Sequence, residues 1–130
     1  MIIRKKWAIV IFSGILFMSW ISCQRAEIRR NDISCKPPSE ISAGATGKIT
    51  IAWDLNEKEQ AAGFRIFYGL ASRKYQQCID IGRPPESSPG VVKYTLTGLD
   101  PGKKYYIALI AYDKNKNESD FSGEVSGTAE

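Results

Sequence analysis

The sequence predicts an all-β antiparallel sandwich over most of its 130 residues, on three observations. From Ile41 onward, apolar and polar residues alternate with period two in several short runs. Glycine, proline or asparagine separates each run from the next, and no stretch of the region carries a helical period. Short strands at such spacing bury one face each by packing as two sheets. The length suits one such domain plus a leader, not two independent cores.

Each strand follows from its own alternation. "KITIAWD" places Ile49, Ile51 and Trp53 on one face, and a first strand is expected just ahead of it. "FRIFYG" aligns Phe64, Ile66 and Tyr68. "YQQCIDIG" reads as an edge strand with Ile79 and Ile81 inward and Cys78 outward. "VKYTLTGL" aligns Tyr94 and Leu96, and "YYIALIAYD" aligns Tyr105, Ile107, Leu109 and Ala111. The same alternation turns Phe67, Tyr106, Ile110 and Tyr112 outward, a cluster of the kind that marks an interface.

Trp53, the series Phe64, Ile66, Tyr68 and Gly69, and "LTGLDPGKKYY" with Tyr105 six residues after Leu99 resemble a fibronectin type III domain. The likeness covers residues 37–129, with "AYDKNKNESDFSGEVSGT" matching the sixth and seventh strands and their connection. It implies an immunoglobulin-like antiparallel sandwich of seven strands, and a tyrosine corner in which the Tyr105 phenol returns to backbone near the preceding turn. The loop "GRPPESSPG", residues 82–90, is longer and richer in proline than is usual in that family. The adhesion tripeptide Arg-Gly-Asp is absent from the loop after Tyr112, so integrin-type recognition has no support.

The first 22 residues have the layout of a secretory signal peptide: Arg4, Lys5 and Lys6, then an uncharged run from Trp7 to Ile21, then small Ser22. That run is shorter than the ~20 apolar residues of a spanning helix. Its end is similar to the lipobox of bacterial lipoproteins: Ile21, Ser22 and Cys23 match, while Trp20 stands where that pattern usually has Leu. The resemblance implies lipidation at Cys23, and Gln24 after it implies outer-membrane sorting. Residues 23–36 are then the lipidated cysteine and a polar, flexible tether, and residues 37–130 the domain. Simple cleavage and release of a soluble protein is the alternative.

With Cys23 modified, Cys35 and Cys78 are the remaining thiols, an even count in an oxidising compartment; a bond between them and two free or intermolecular thiols are both open. Without a histidine, the chain has no Ser-His or Cys-His pair and no imidazole zinc set, and its cysteines lack CxxC spacing. Asp113, Asn115, Asn117 and Glu124 fall at positions 1, 3, 5 and 12 of a calcium loop, but Glu118 stands where that loop needs glycine and the flanks are strands. The acidic pairs Glu57 with Glu59 and Glu118 with Asp120 sit in loops beside lysines that keep them ionised, so no catalytic residue, metal or cofactor is expected. The net charge of +4 owes three of its cations to the leader, which removes the case for nucleic acid.

Sorting loops by end of the sandwich puts Asp54, Glu57, Glu59, the 82–90 loop and the 113–120 loop at one end, where the tether is expected to arrive. Lys48, Arg73, Lys74, Lys103 and Lys104 collect at the other, with Asp100 as chief acid, as a surface for an anionic partner or as solvated turn cations. The expectation is a non-catalytic, exported bacterial surface lipoprotein that is anchored to the membrane through its lipid and binds a protein or polysaccharide. A structural subunit of an envelope assembly and a soluble accessory module are its rivals.

Overall fold

In the computed structural model, residues 9–11, 33–40, 44–55 and 61–130 are described. Seven strands of three or more residues form the sandwich, β1 (Ile9–Ile11), β3 (Gly47–Asp54), β4 (Gly63–Gly69), β5 (Gln77–Gly82), β6 (Val91–Leu99), β7 (Lys104–Tyr112) and β8 (Val125–Thr128), with a two-residue β2 (Cys35–Lys36) added. One sheet has the order β1-β3-β6 and the other β2-β5-β4-β7-β8. Every pairing is antiparallel except β2 with β5. This is the immunoglobulin-like, fibronectin type III arrangement of three strands against four.

The core lies between the sheets and is built by the alternation read above. Ile49, Ile51 and Trp53 of β3 and Val92, Leu96 and Leu99 of β6 face Phe64, Ile66, Ile79, Ile107 and Leu109 of the other sheet. Trp53 and Phe64 meet edge to face at 5.4 Å between centroids, an arrangement worth roughly 0.5–1.5 kcal/mol beyond buried area. The Tyr105 hydroxyl accepts the Asp100 N–H at 3.0 Å, forming the corner between β6 and β7, and Gly102 supplies the left-handed turn there with φ of 79°.

Three features differ from expectation. The edge beside β3 is taken by Ile9–Ile11, whereas Pro38–Glu40, ahead of β3, form a 3-10 turn. The chain before β3 is engaged elsewhere: Cys35 and Lys36 pair in parallel with Cys78 and Ile79. Parallel pairing on β5 means that residues 33–35 arrive beside the start of β5, at the end of the sandwich holding the 70–76 loop. Residues 33–35 therefore lie at the end with the cations, opposite to the end at which the chain was expected to arrive.

The third difference concerns the outward face of the larger sheet. Phe67 and Ile110 point away from the main core yet are 3% and 1% exposed. They form a second apolar layer with Tyr75, Cys78 and Ala108, packed against Ile33, Cys35, Tyr106 and Phe121. Phe121 meets Phe67 edge to face at 5.0 Å. Tyr112 is also buried, beneath Arg65 and Lys116 at 5.0 and 4.4 Å from its ring centroid. Alternation assigns a side chain to a face, and the chain's own tether and the β7–β8 connection then cover that face.

Candidate functional site

The clasp between tether and sheet is the best-defined feature outside the core. Cys35 and Cys78 are joined by a disulfide, with a Cα–Cα distance of 4.4 Å and a sequence separation of 43. Closing a loop of that length stabilises the fold by roughly 4 kcal/mol on the chain-entropy argument. Cys23 lies outside the described residues, as do Glu57 and Glu59.

The five candidate cations share one end, as register requires. Lys48 opens β3, Lys103 and Lys104 open β7, and Arg73 and Lys74 lie in the loop after β4, whose last residue Gly69 pairs with Tyr106. The sequence tally did not foresee how thoroughly acids interleave with them. Lys103 Nζ sits 2.8 Å from Asp100, which raises its pKa, and Lys104 Nζ lies 5.4 Å from the Tyr106 ring centroid. Glu124 accepts bonds from Ser72 Oγ, the Arg73 N–H and Tyr75 Oη at 2.6, 2.7 and 2.6 Å. Burial first, and then this bond to Glu124, push the Tyr75 phenol well above its usual range. Glu124 therefore fastens the 70–76 loop to the segment entering β8, far from Asp113. The Glu130 backbone exchanges two hydrogen bonds with Lys48. Among the described residues, the exposed Lys48 and Lys74 show neither an acidic side-chain contact nor a ring contact, whereas Lys103 has Asp100 and Lys104 has Tyr106.

At the far end, the Asp113 carboxylate is occupied by its own loop. It accepts from Asn117 Nδ2 at 2.9 Å and from the backbone N–H groups of Asn115 and Asn117, and Asn117 leads the causes that hold its pKa low. The 82–90 loop is fastened as well: Arg83 Nη1 donates to Ala61 O at 2.7 Å, Leu55 N to Gly90 O at 2.6 Å and Gly90 N to Glu86 at 2.9 Å. Just inside that end, Asp80 accepts from Arg65 Nε at 3.1 Å, Tyr112 Oη at 2.9 Å and the Gly82 N–H, and Arg65 also pairs with Glu118. Burial pushes the Asp80 carboxyl up, but these donors outweigh it and leave the pKa lowered.

Among the described residues, these polar groups are taken up by contacts with one another. No cluster of His, Cys, Asp and Glu able to hold a metal occurs among the described residues.

Neither a protein-family model nor a curated protein sequence matches the chain. Among solved structures it is similar to a β-1,2-glucanase from Parabacteroides distasonis, at 30% identity and a TM-score of 0.50, over 65% of this chain and 11% of the glucanase. The chain thus spans about a tenth of that enzyme's length. It is also similar to a structure described as a myokine, at 18% identity and a TM-score of 0.50 over 65% of this chain and 84% of the other. The third fibronectin III domain of a human protein matches at 16% identity and a TM-score of 0.48 over 87% and 93% of the two chains.

Proposed function

We propose that the chain is an exported, non-catalytic binding module, anchored in a bacterial membrane by lipid on Cys23, that presents a fibronectin type III-like sandwich to a protein or polysaccharide partner. The Cys35–Cys78 clasp carries this reading. Such a bond belongs to an oxidising compartment, which agrees with a leader that ends at Ser22. It also leaves only residues 24–32 between the anchor and packed Ile33, a reach of ~30 Å at full extension.

Because the clasp lies at the end with the cations, the anchor draws Lys48, Arg73, Lys74, Lys103 and Lys104 toward the headgroups. The loops at 82–90 and 113–120 then point away and form the presenting surface. The likeness to a segment of a glucanase supports including glucans among the partners tried. The structural-subunit rival rested on outward aromatics, and the burial of Phe67, Ile110 and Tyr112 removes that support.

Intact-mass analysis of protein extracted from membranes tests the reading. A chain beginning at acylated Cys23 is expected, and Cys23→Ser should abolish acylation and leave the leader uncleaved. An intact Met1 or an unmodified N-terminus refutes the anchor. Crosslinking at the 82–90 loop should capture partner material that crosslinking at Lys48 does not.

A further inference from the structure

The first edge of the smaller sheet is filled in an unusual way, and the backbone of β3 shows what the edge can do. Lys48 gives and accepts one backbone hydrogen bond each with Glu130, at 3.0 and 3.1 Å, on the side of β3 away from β6. Leu55 N donates instead to Gly90 O, toward β6. Backbone groups of a strand alternate between its two sides, so Thr50, Ala52 and Asp54 direct their N–H and C=O groups to the same side as Lys48, and Ile51 and Trp53 direct theirs to β6. Glu130 serves only Lys48. The rest of the edge is met by β1, with Val10 opposite Ala52, Ile9 opposite Trp53 and Ile11 opposite Ile51. Parity makes Val10 and Ala52 the hydrogen-bonded pair of that ladder.

We propose that this edge of β3, centred on Ala52, is a strand-acceptor site. In the unprocessed chain Ile9–Ile11 of the leader occupies it; after processing it takes an extended segment of a protein partner, antiparallel to β3 and in the same register. The occupant's chemistry follows from the present one: Ile-Val-Ile is apolar and β-branched throughout, the composition that favours extended pairing. Cys35 and Lys36 are held at the far edge of the other sheet and Pro38–Glu40 form a 3-10 turn, so none of these residues fills the place. An edge freed of that strand invites strand addition, in which main-chain bonds supply affinity. The second half of the proposal rests on removal of the leader at Cys23.

Amide hydrogen exchange on the full chain carrying Cys23→Ser, which keeps its leader, tests the first half. Val10→Pro removes one donor from the ladder, so exchange at Ala52 should rise about tenfold while Ile51 and Trp53, bonded to β6, stay slow and report an intact fold. Unchanged protection at Ala52 overturns the assignment. For the second half, a peptide of residues 7–13 is added to the mature chain. Slow exchange at Ala52 should appear only with the peptide, and a peptide bearing proline at position 10 should fail. Protection without peptide means that the chain's own segment ahead of β3 covers the edge and refutes the acceptor; protection that coincides with a doubled mass means pairing between copies and refutes the partner strand. Failure of processing would show as retained Met1 and would leave the Val10→Pro result standing.

Discussion

Cys35 lies directly opposite Cys78 in the only parallel pairing among the described residues, and the bond between them brings the chain from the leader side onto the edge of the larger sheet. Two consequences meet in that contact. It fixes the end of the domain at which the tether arrives, and it lays Ile33 and Cys35 over Phe67 and Ile110.

Breaking this bond should therefore cost about what loop entropy suggests and uncover that layer as well. Cys35→Ser and Cys78→Ser are each expected to lower stability by roughly 4 kcal/mol, with the double variant no worse than either, because all three lose one bond. Urea unfolding followed at the tryptophans measures it, and additive single effects would show that the two sulfurs act separately. Dye binding at the outward layer should rise in both variants as the tether lifts from Phe67.

Tyr105→Phe isolates the corner. The ring still packs, but the Asp100 N–H loses its acceptor in a part-buried site, so a loss of about 1–2 kcal/mol is expected in the same unfolding measurement. Tyr94→Phe, whose hydroxyl is given no such backbone bond, should cost less.

The strands of the core were legible because alternation and separators agree at β3, β4, β6 and β7, and the corner was legible because "LTGLDPGKKYY" carries both its turn and its phenol. What escaped was set by distant pairings. Alternation correctly turns Phe67 away from the main core, but whether water or protein lies beyond depends on Ile33, Cys35 and Phe121, which are 34, 32 and 54 residues away. The five cations were placed at one end by strand direction alone. Their partial neutralisation was hidden because Glu124 approaches Ser72 and Tyr75 only after the connection from β7 doubles back. The leader's strand had no signal separate from its reading as an export segment.

Acid stability should report on Asp80. Its donors lower the folded pKa below the unfolded value of ~3.9, so the carboxylate contributes stability above that value, and the contribution is lost as pH falls through the lowered folded pKa. Asp80→Asn is expected to flatten the decline in melting temperature below about pH 4 while lowering the plateau at neutral pH. Tyr112→Phe, which deletes one of the three donors, should shift the decline to slightly higher pH. An Asp80→Asn profile parallel to that of the wild type would show that other carboxylates set the acid limb.

The orientation of the domain on its anchor yields the last prediction. If the tether draws the cationic end to the headgroups, binding of the lipid-free chain to vesicles rich in anionic lipid should be weak but measurable, since each cation near such a surface contributes up to about 1 kcal/mol. Asp100, Glu124 and Glu130 at the same end reduce that figure. Lys48 and Lys74 are the informative positions, because Lys103 is tied to Asp100 and Lys104 stands over Tyr106. Lys48→Gln with Lys74→Gln should weaken vesicle binding by up to about thirtyfold, and the wild-type affinity should fall steeply with salt as the Debye length shrinks below ~8 Å. Lys114→Gln, at the opposite end, should leave binding unchanged. An equal loss from Lys114→Gln would mean attraction by net charge alone, and the end of the sandwich facing the membrane would then have to be set by the eleven residues of tether between Cys23 and the clasp.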